Sequence, residues 1–89
     1  MASIEMLGPL RAMVGKELMN SLRRCKSLRE ILSQLLTELQ ANLDFGQPTS
    51  IEEMNRYLIV LINGSIASNL NIELGVGDSI IILPLSHGG

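Results

Sequence analysis

The chain has 89 residues with a net charge of −2, 46% hydrophobic, 2% aromatic and 18% charged, which allows one small core and excludes a disordered segment, since disorder needs low hydrophobicity and high charge. Its longest apolar runs, Tyr57–Ile62 and Ile80–Leu85, are far short of the roughly 20 residues that span a bilayer. An acidic balance with no Trp, one Tyr and one Phe excludes a nucleic-acid surface built on phosphate contacts and stacking.

Residues 2–7 alternate at Ile4 and Met6 and predict a short strand. Gly8-Pro9 breaks it, and Leu10–Val14 reads as one helical turn or a loop. Glu17–Arg24 reads as a second strand with Leu18 and Leu22 as its apolar members, although Asn20 and Ser21 are poor strand formers. Ser27-Leu28-Arg29-Glu30 is a capping box. Apolar residues at 28, 31, 32, 35, 36, 39 and 43 then form one helical stripe. This helix is predicted to reach Asn42, with Gly46 and Pro48 stopping it. Ser50-Ile51-Glu52-Glu53 repeats the capping pattern and predicts a helical turn over 51–55.

Tyr57–Ile62 predicts a strand that is apolar on both parities. Asn63-Gly64 predicts a two-residue hairpin turn, with Ile66 in a brief strand after it. Asn69–Leu74 is irregular and Gly75–Asp78 is a turn. Ser79–Leu83 is the last strand, again apolar on both parities. The predicted order is β-β-α-β-β-β. One helix covers one face of a small sheet, so the second apolar face calls for a cover from outside, unless the 44–56 loop folds over it.

Cations concentrate at the front. Residues 1–29 carry Arg11, Lys16, Arg23, Arg24, Lys26 and Arg29 against two acids, and the remainder carries Arg56 against seven acids. The cluster Arg23, Arg24 and Lys26 reads first as a solvated edge and second as a dock for an acidic partner. A single cysteine, Cys25, has no redox pair and reads as a buried thiol. The N-terminal segment has no apolar h-region, which predicts a cytoplasmic protein, so the sequon at Asn63 reads as a turn. Met6, Met13, Met19 and Met54 read as core or rim fillers.

The last six residues, 84–89, have no structural pattern and end in Gly88-Gly89. They are expected to form a flexible tail on a domain spanning 1–83. Together with Ile4–Arg11, Val14-Gly15, the capped helix, Leu58–Gly64 and Gly77-Asp78, this ending resembles the ubiquitin-like sulfur carriers. That family comprises the ubiquitin-related modifier, the molybdopterin synthase small subunit and the thiamine sulfur carrier. Ser86-His87-Gly88-Gly89 and Leu58–Ile62 are most similar to the modifier, whereas Pro84 is more similar to the synthase subunit. The longer 44–56 region departs from the compact thiamine carrier.

The resemblance implies a β-grasp fold: an α+β mixed sheet of four to five strands with one main helix on one face. It implies a carrier rather than an enzyme, with no bound cofactor and no metal. An activating enzyme of the E1 type would use ATP to adenylate the Gly89 carboxylate. Sulfur transfer for tRNA thiolation, through a sulfurtransferase, or isopeptide formation on target lysines would follow. Ser86, His87 and Gly88 would thread the activating site. Ile80 and Ile82 would face the helix. Ile81, Leu83, Pro84 and Leu85 would meet the partner. The alternatives are the synthase small subunit, working with its large subunit in molybdenum cofactor biosynthesis, and a β-grasp interaction module without terminal chemistry. Only Lys16 and Lys26 are available for self-conjugation besides the N-terminal amine.

Overall fold

The computed structural model describes residues 2–41 and 48–85. The elements are β1 (Ser3–Met6), α1 (Pro9–Met13), α2 (Lys16–Arg23), α3 (Leu28–Gln40), a 3-10 helix (Ile51–Arg56), β2 (Leu58–Ile62), β3 (Ser65–Ile66) and β4 (Ser79–Pro84). The four strands form one mixed sheet in the order β1-β4-β2-β3. Strand β4 lies parallel to β1 and antiparallel to β2. The fold is α+β and β-grasp-like, with α3 as its main helix. No helix among the described residues is long and apolar enough to cross a membrane.

The capping box starts α3 as predicted. The Ser27 hydroxyl accepts the Glu30 N–H at 3.2 Å, and the Glu30 carboxylate accepts the Lys26 N–H at 3.1 Å. The stripe at Leu28, Ile31, Leu32, Leu35 and Leu39 is buried throughout. It meets Ile4 and Met6 of β1, Leu58 of β2, and Ile80 and Ile82 of β4 in a single cluster. The helix closes at Gln40 with Ala41 as its cap, while the predicted end at Asn42 and the predicted stop signal Gly46 lie outside the described residues. At the second capping pattern the hydroxyl that engages Glu53 belongs to Thr49, not Ser50.

The predicted strand over Glu17–Arg24 is corrected: residues 16–23 are the helix α2. Leu18, Met19 and Leu22 fall on one face of a helix, whereas a strand would point Met19 away from the other two. Leu22 is fully buried, and Leu18, Met19 and Cys25 pack around the same core. The Ser21 hydroxyl donates to Gln34 of α3 at 2.7 Å. Good helix formers at Lys16, Glu17, Leu18 and Met19 favour the same outcome. The first hairpin is therefore absent, and among the described residues β1 pairs with β4 alone.

Two turns at one end of the sheet are tied together. Asn63 and Gly64 take φ of 52° and 87°, as the two-residue hairpin requires. The Asn63 side chain accepts the Ser79 N–H at 2.9 Å and donates to Asp78 at 3.0 Å. The other Asp78 oxygen accepts the Gly75 N–H at 2.8 Å. These bonds, the Gly75 N–H first and the Asn63 amide second, hold the Asp78 carboxyl below its ordinary range. A folded value below the unfolded one gives stability that is present above the unfolded value and lost as pH falls through the folded value. Acid unfolding followed by circular dichroism should therefore show Asp78→Asn losing part of the wild-type pH dependence below pH 3.8.

At the other end, Gly8 has φ 62° and ψ −146°, a region open essentially to glycine alone. Urea unfolding of Gly8→Ala should show a loss of about 1–3 kcal/mol. A stability equal to wild type would contradict this backbone geometry.

Candidate functional site

Alternation along β4 separates two sets of side chains. Ile80 and Ile82 are buried against the helix, at 1% and 0% exposure. Ile81 and Leu83 take the opposite parity and face outward. Register extends this face across the sheet. Ile59 pairs with Leu83, Leu61 with Ile81, and Ile66 with Leu61. Directly paired residues project from the same side, so five aliphatic side chains share one surface. Ile59, Leu61, Ile81 and Leu83 shield one another and are half-buried, whereas Ile66 is 72% exposed. Glu5, paired with Ile81, is the acidic border on the β1 side.

Residues 48–56 lie on the helix side. Gln40 donates to the Pro48 carbonyl at 3.1 Å, and Met54 is buried in the core beside Leu58. The described part of the loop that could have covered the outward face is thus engaged elsewhere.

The chain leaves the sheet from this region. Pro84 still belongs to β4, paired with Leu58, and the Leu85 N–H donates to the Tyr57 carbonyl at 2.8 Å. Strand β4 therefore runs to Pro84, one residue beyond the strand end predicted at Leu83. The Pro84 ring lies over the Gly8 turn, where a Cβ on Gly8 would stand 3.6 Å from it. The tail residues Ser86, His87, Gly88 and Gly89 lie outside the described residues.

The structure joins Ile81 and Leu83, the residues expected to meet a partner, into one surface with Ile59 and Leu61. It places Pro84 and Leu85 where the chain departs. Sequence reasoning missed Ile66 as a member. A two-residue Asn63-Gly64 turn already forces Ser65 opposite Ile62 and Ile66 opposite Leu61, so the signal was present in the loop length.

The remaining candidates fall elsewhere. Arg23, Arg24 and Lys26 are exposed at the end of α2 and the turn after it. Cys25 is half-buried, its thiol donating to the Ser21 carbonyl and accepting from Gln34. Burial, then the Glu30 carboxylate, push the thiol above its ordinary range, which keeps it protonated and a poor nucleophile. Met6 and Met54 are buried in the core, and Met13 and Met19 pack at its rim.

Comparison with protein-family models, with curated proteins and with solved structures finds no match to this chain.

The two parities of β4 predict opposite responses to charge. Ile80→Asp or Ile82→Asp should unfold the domain, because each leaves an unpaired carboxylate in the core. Ile81→Asp and Leu83→Asp should keep a cooperative urea transition. Equal damage from all four would refute the assignment of faces.

Proposed function

We propose that the chain is a ubiquitin-like sulfur carrier and protein modifier, a substrate of an activating enzyme rather than a catalyst. The observation that carries this reading is the exit of the chain from β4. The central strand holds Pro84 and Leu85, the last described residues, beside an apolar face, and the sequence that follows them reads Ser86-His87-Gly88-Gly89. Fully extended, four residues reach at most about 14 Å. In this reading a partner holding the outward face would meet the Gly89 carboxylate within that reach of Leu85.

The chemistry explains the glycines. A carboxylate is a poor electrophile until one of its oxygens attacks the α-phosphorus of ATP and pyrophosphate leaves. The resulting acyl-adenylate on Gly89 loses AMP to a sulfide equivalent, giving a thiocarboxylate, or to a lysine amine, giving an isopeptide bond. An activating site that admits only a narrow tail excludes a Cβ at the last two positions. His87 and Ser86 then serve as recognition contacts within the tail. Sulfur supply to tRNA thiolation and conjugation to target lysines are the outlets of this reading, and the cytoplasm is where it operates. The synthase subunit is the competing outlet, supported by the position of Pro84 at the end of the strand.

Mass spectrometry of protein from its native host separates these outcomes. A sulfur-for-oxygen exchange at the terminus supports the carrier. Gly-Gly remnants on lysines of other proteins support the modifier. Co-purification with one stoichiometric larger subunit supports the synthase component. Pyrophosphate exchange with the cognate activating enzyme should be lost in Gly88→Val and Gly89→Val while circular dichroism is unchanged. It should fall by about tenfold or more in Ile81→Asp and Leu83→Asp. Normal exchange in the glycine variants would sink the reading.

A further inference from the structure

Strand β1 ends the sheet, and no strand among the described residues lies on its far side. Its bonds to β4 fix which backbone groups face which way. The Ser3 N–H donates to Asp78 and the Leu7 N–H donates to Ile82, both at 2.9 Å. In a parallel pair, alternate residues point their backbone groups to alternate sides. Ser3, Glu5 and Leu7 therefore face β4, and Ile4 and Met6 direct their N–H and C=O groups to the open side. Such an edge is a template for another strand.

The surroundings of that edge select the strand. A groove of about 340 Å³ runs along it, walled by Arg11, Val14, Met19 and Arg23. A second groove, of about 640 Å³, begins at Ala2 and is lined by Arg23, Arg24 and Lys26. Arg23 belongs to both, so cations stand at each end of β1. None of these four cations forms an ion pair with a described residue; the one ion pair among the described residues is Arg29–Glu52. The acids nearby are Glu5, Glu30 and Glu73. Glu5 belongs to the outward-facing parity, and Glu30 is held in the α3 cap. Among the described residues that line the groove, Val14 and Met19 form its apolar wall on the helix side.

We propose that the outer edge of β1 binds an extended peptide of a partner protein as an added strand. The peptide has apolar residues at alternate positions and acidic residues at both ends. Its backbone pairs with Ile4 and Met6, its apolar side chains rest on Val14 and Met19, and its acidic ends meet Arg11 at one end and Arg23, Arg24 and Lys26 at the other. The site lies along the free side of β1, whereas the chain exits from the end of the neighbouring central strand β4, and peptide binding there does not require terminal activation.

The probe is the peptide acetyl-DDVTVTVDD-amide, titrated into the full-length chain labelled for backbone amide NMR. Saturable shifts should centre on β1 and residues 11–26, and hydrogen exchange at the Ile4 and Met6 amides should slow by about tenfold. The Arg11→Glu, Arg23→Glu double variant should keep its circular dichroism and bind about tenfold more weakly. The same peptide with lysine in place of aspartate should not bind. Shifts centred on Ile66, equal binding of the lysine peptide, or no saturable binding would overturn the proposal. So would protection of Ile4 and Met6 that rises with protein concentration alone, which would make a second copy the occupant.

Discussion

Strand β4 is bonded on both sides, to β1 in parallel and to β2 in antiparallel register, and the arrangement of the rest follows from that position. Its two buried isoleucines, Ile80 and Ile82, are the floor on which the α3 stripe sits. Because side chains alternate strictly along a strand, seating these two against the helix forces Ile81 and Leu83 to the other side. A one-residue slip would exchange the two sets and bring Ile81 and Leu83 under the helix. Core and outward face are therefore one decision.

That decision is held by polar groups at the ends of the strand. The Asn63 side chain bridges the start of β4 to the hairpin turn, and Asp78 ties the same bridge to the turn at Gly75. At the far end the Leu85 N–H is bound to Tyr57, and Pro84 rests on the Gly8 turn. The place where the chain quits the sheet is thus defined by contacts from two other segments.

Most of this could be read from residues. The capping box at Ser27, the helical stripe after it, the Asn63-Gly64 turn and the last strand all announce themselves through local chemistry or periodicity. Alternation paired Ile80 with Ile82 and Ile81 with Leu83, and the family resemblance implied which pair faces the helix. The second strand over 17–24 failed because Leu18 and Leu22 satisfy a strand and a helix equally well. Met19 and the buried Leu22, with Ser21 bonded to Gln34, settle it as a helix. This mistake concealed the open edge of β1, since a hairpin strand would have filled it.

The sequence by itself determined where the main helix starts, where the hairpin turns, and which residues of the final strand share a face. Capping hydroxyls, a left-handed Asn-Gly pair and strict alternation act over a few residues and need no distant partner. Only the tertiary structure decided what lies beside each of them. It showed that residues 48–56 pack on the helix side and that residues 16–23 coil against α3 instead of pairing with β1. Those outcomes depend on burial against segments far away in the chain, where the packing of Leu22 and Met54 into a shared core decides between local alternatives.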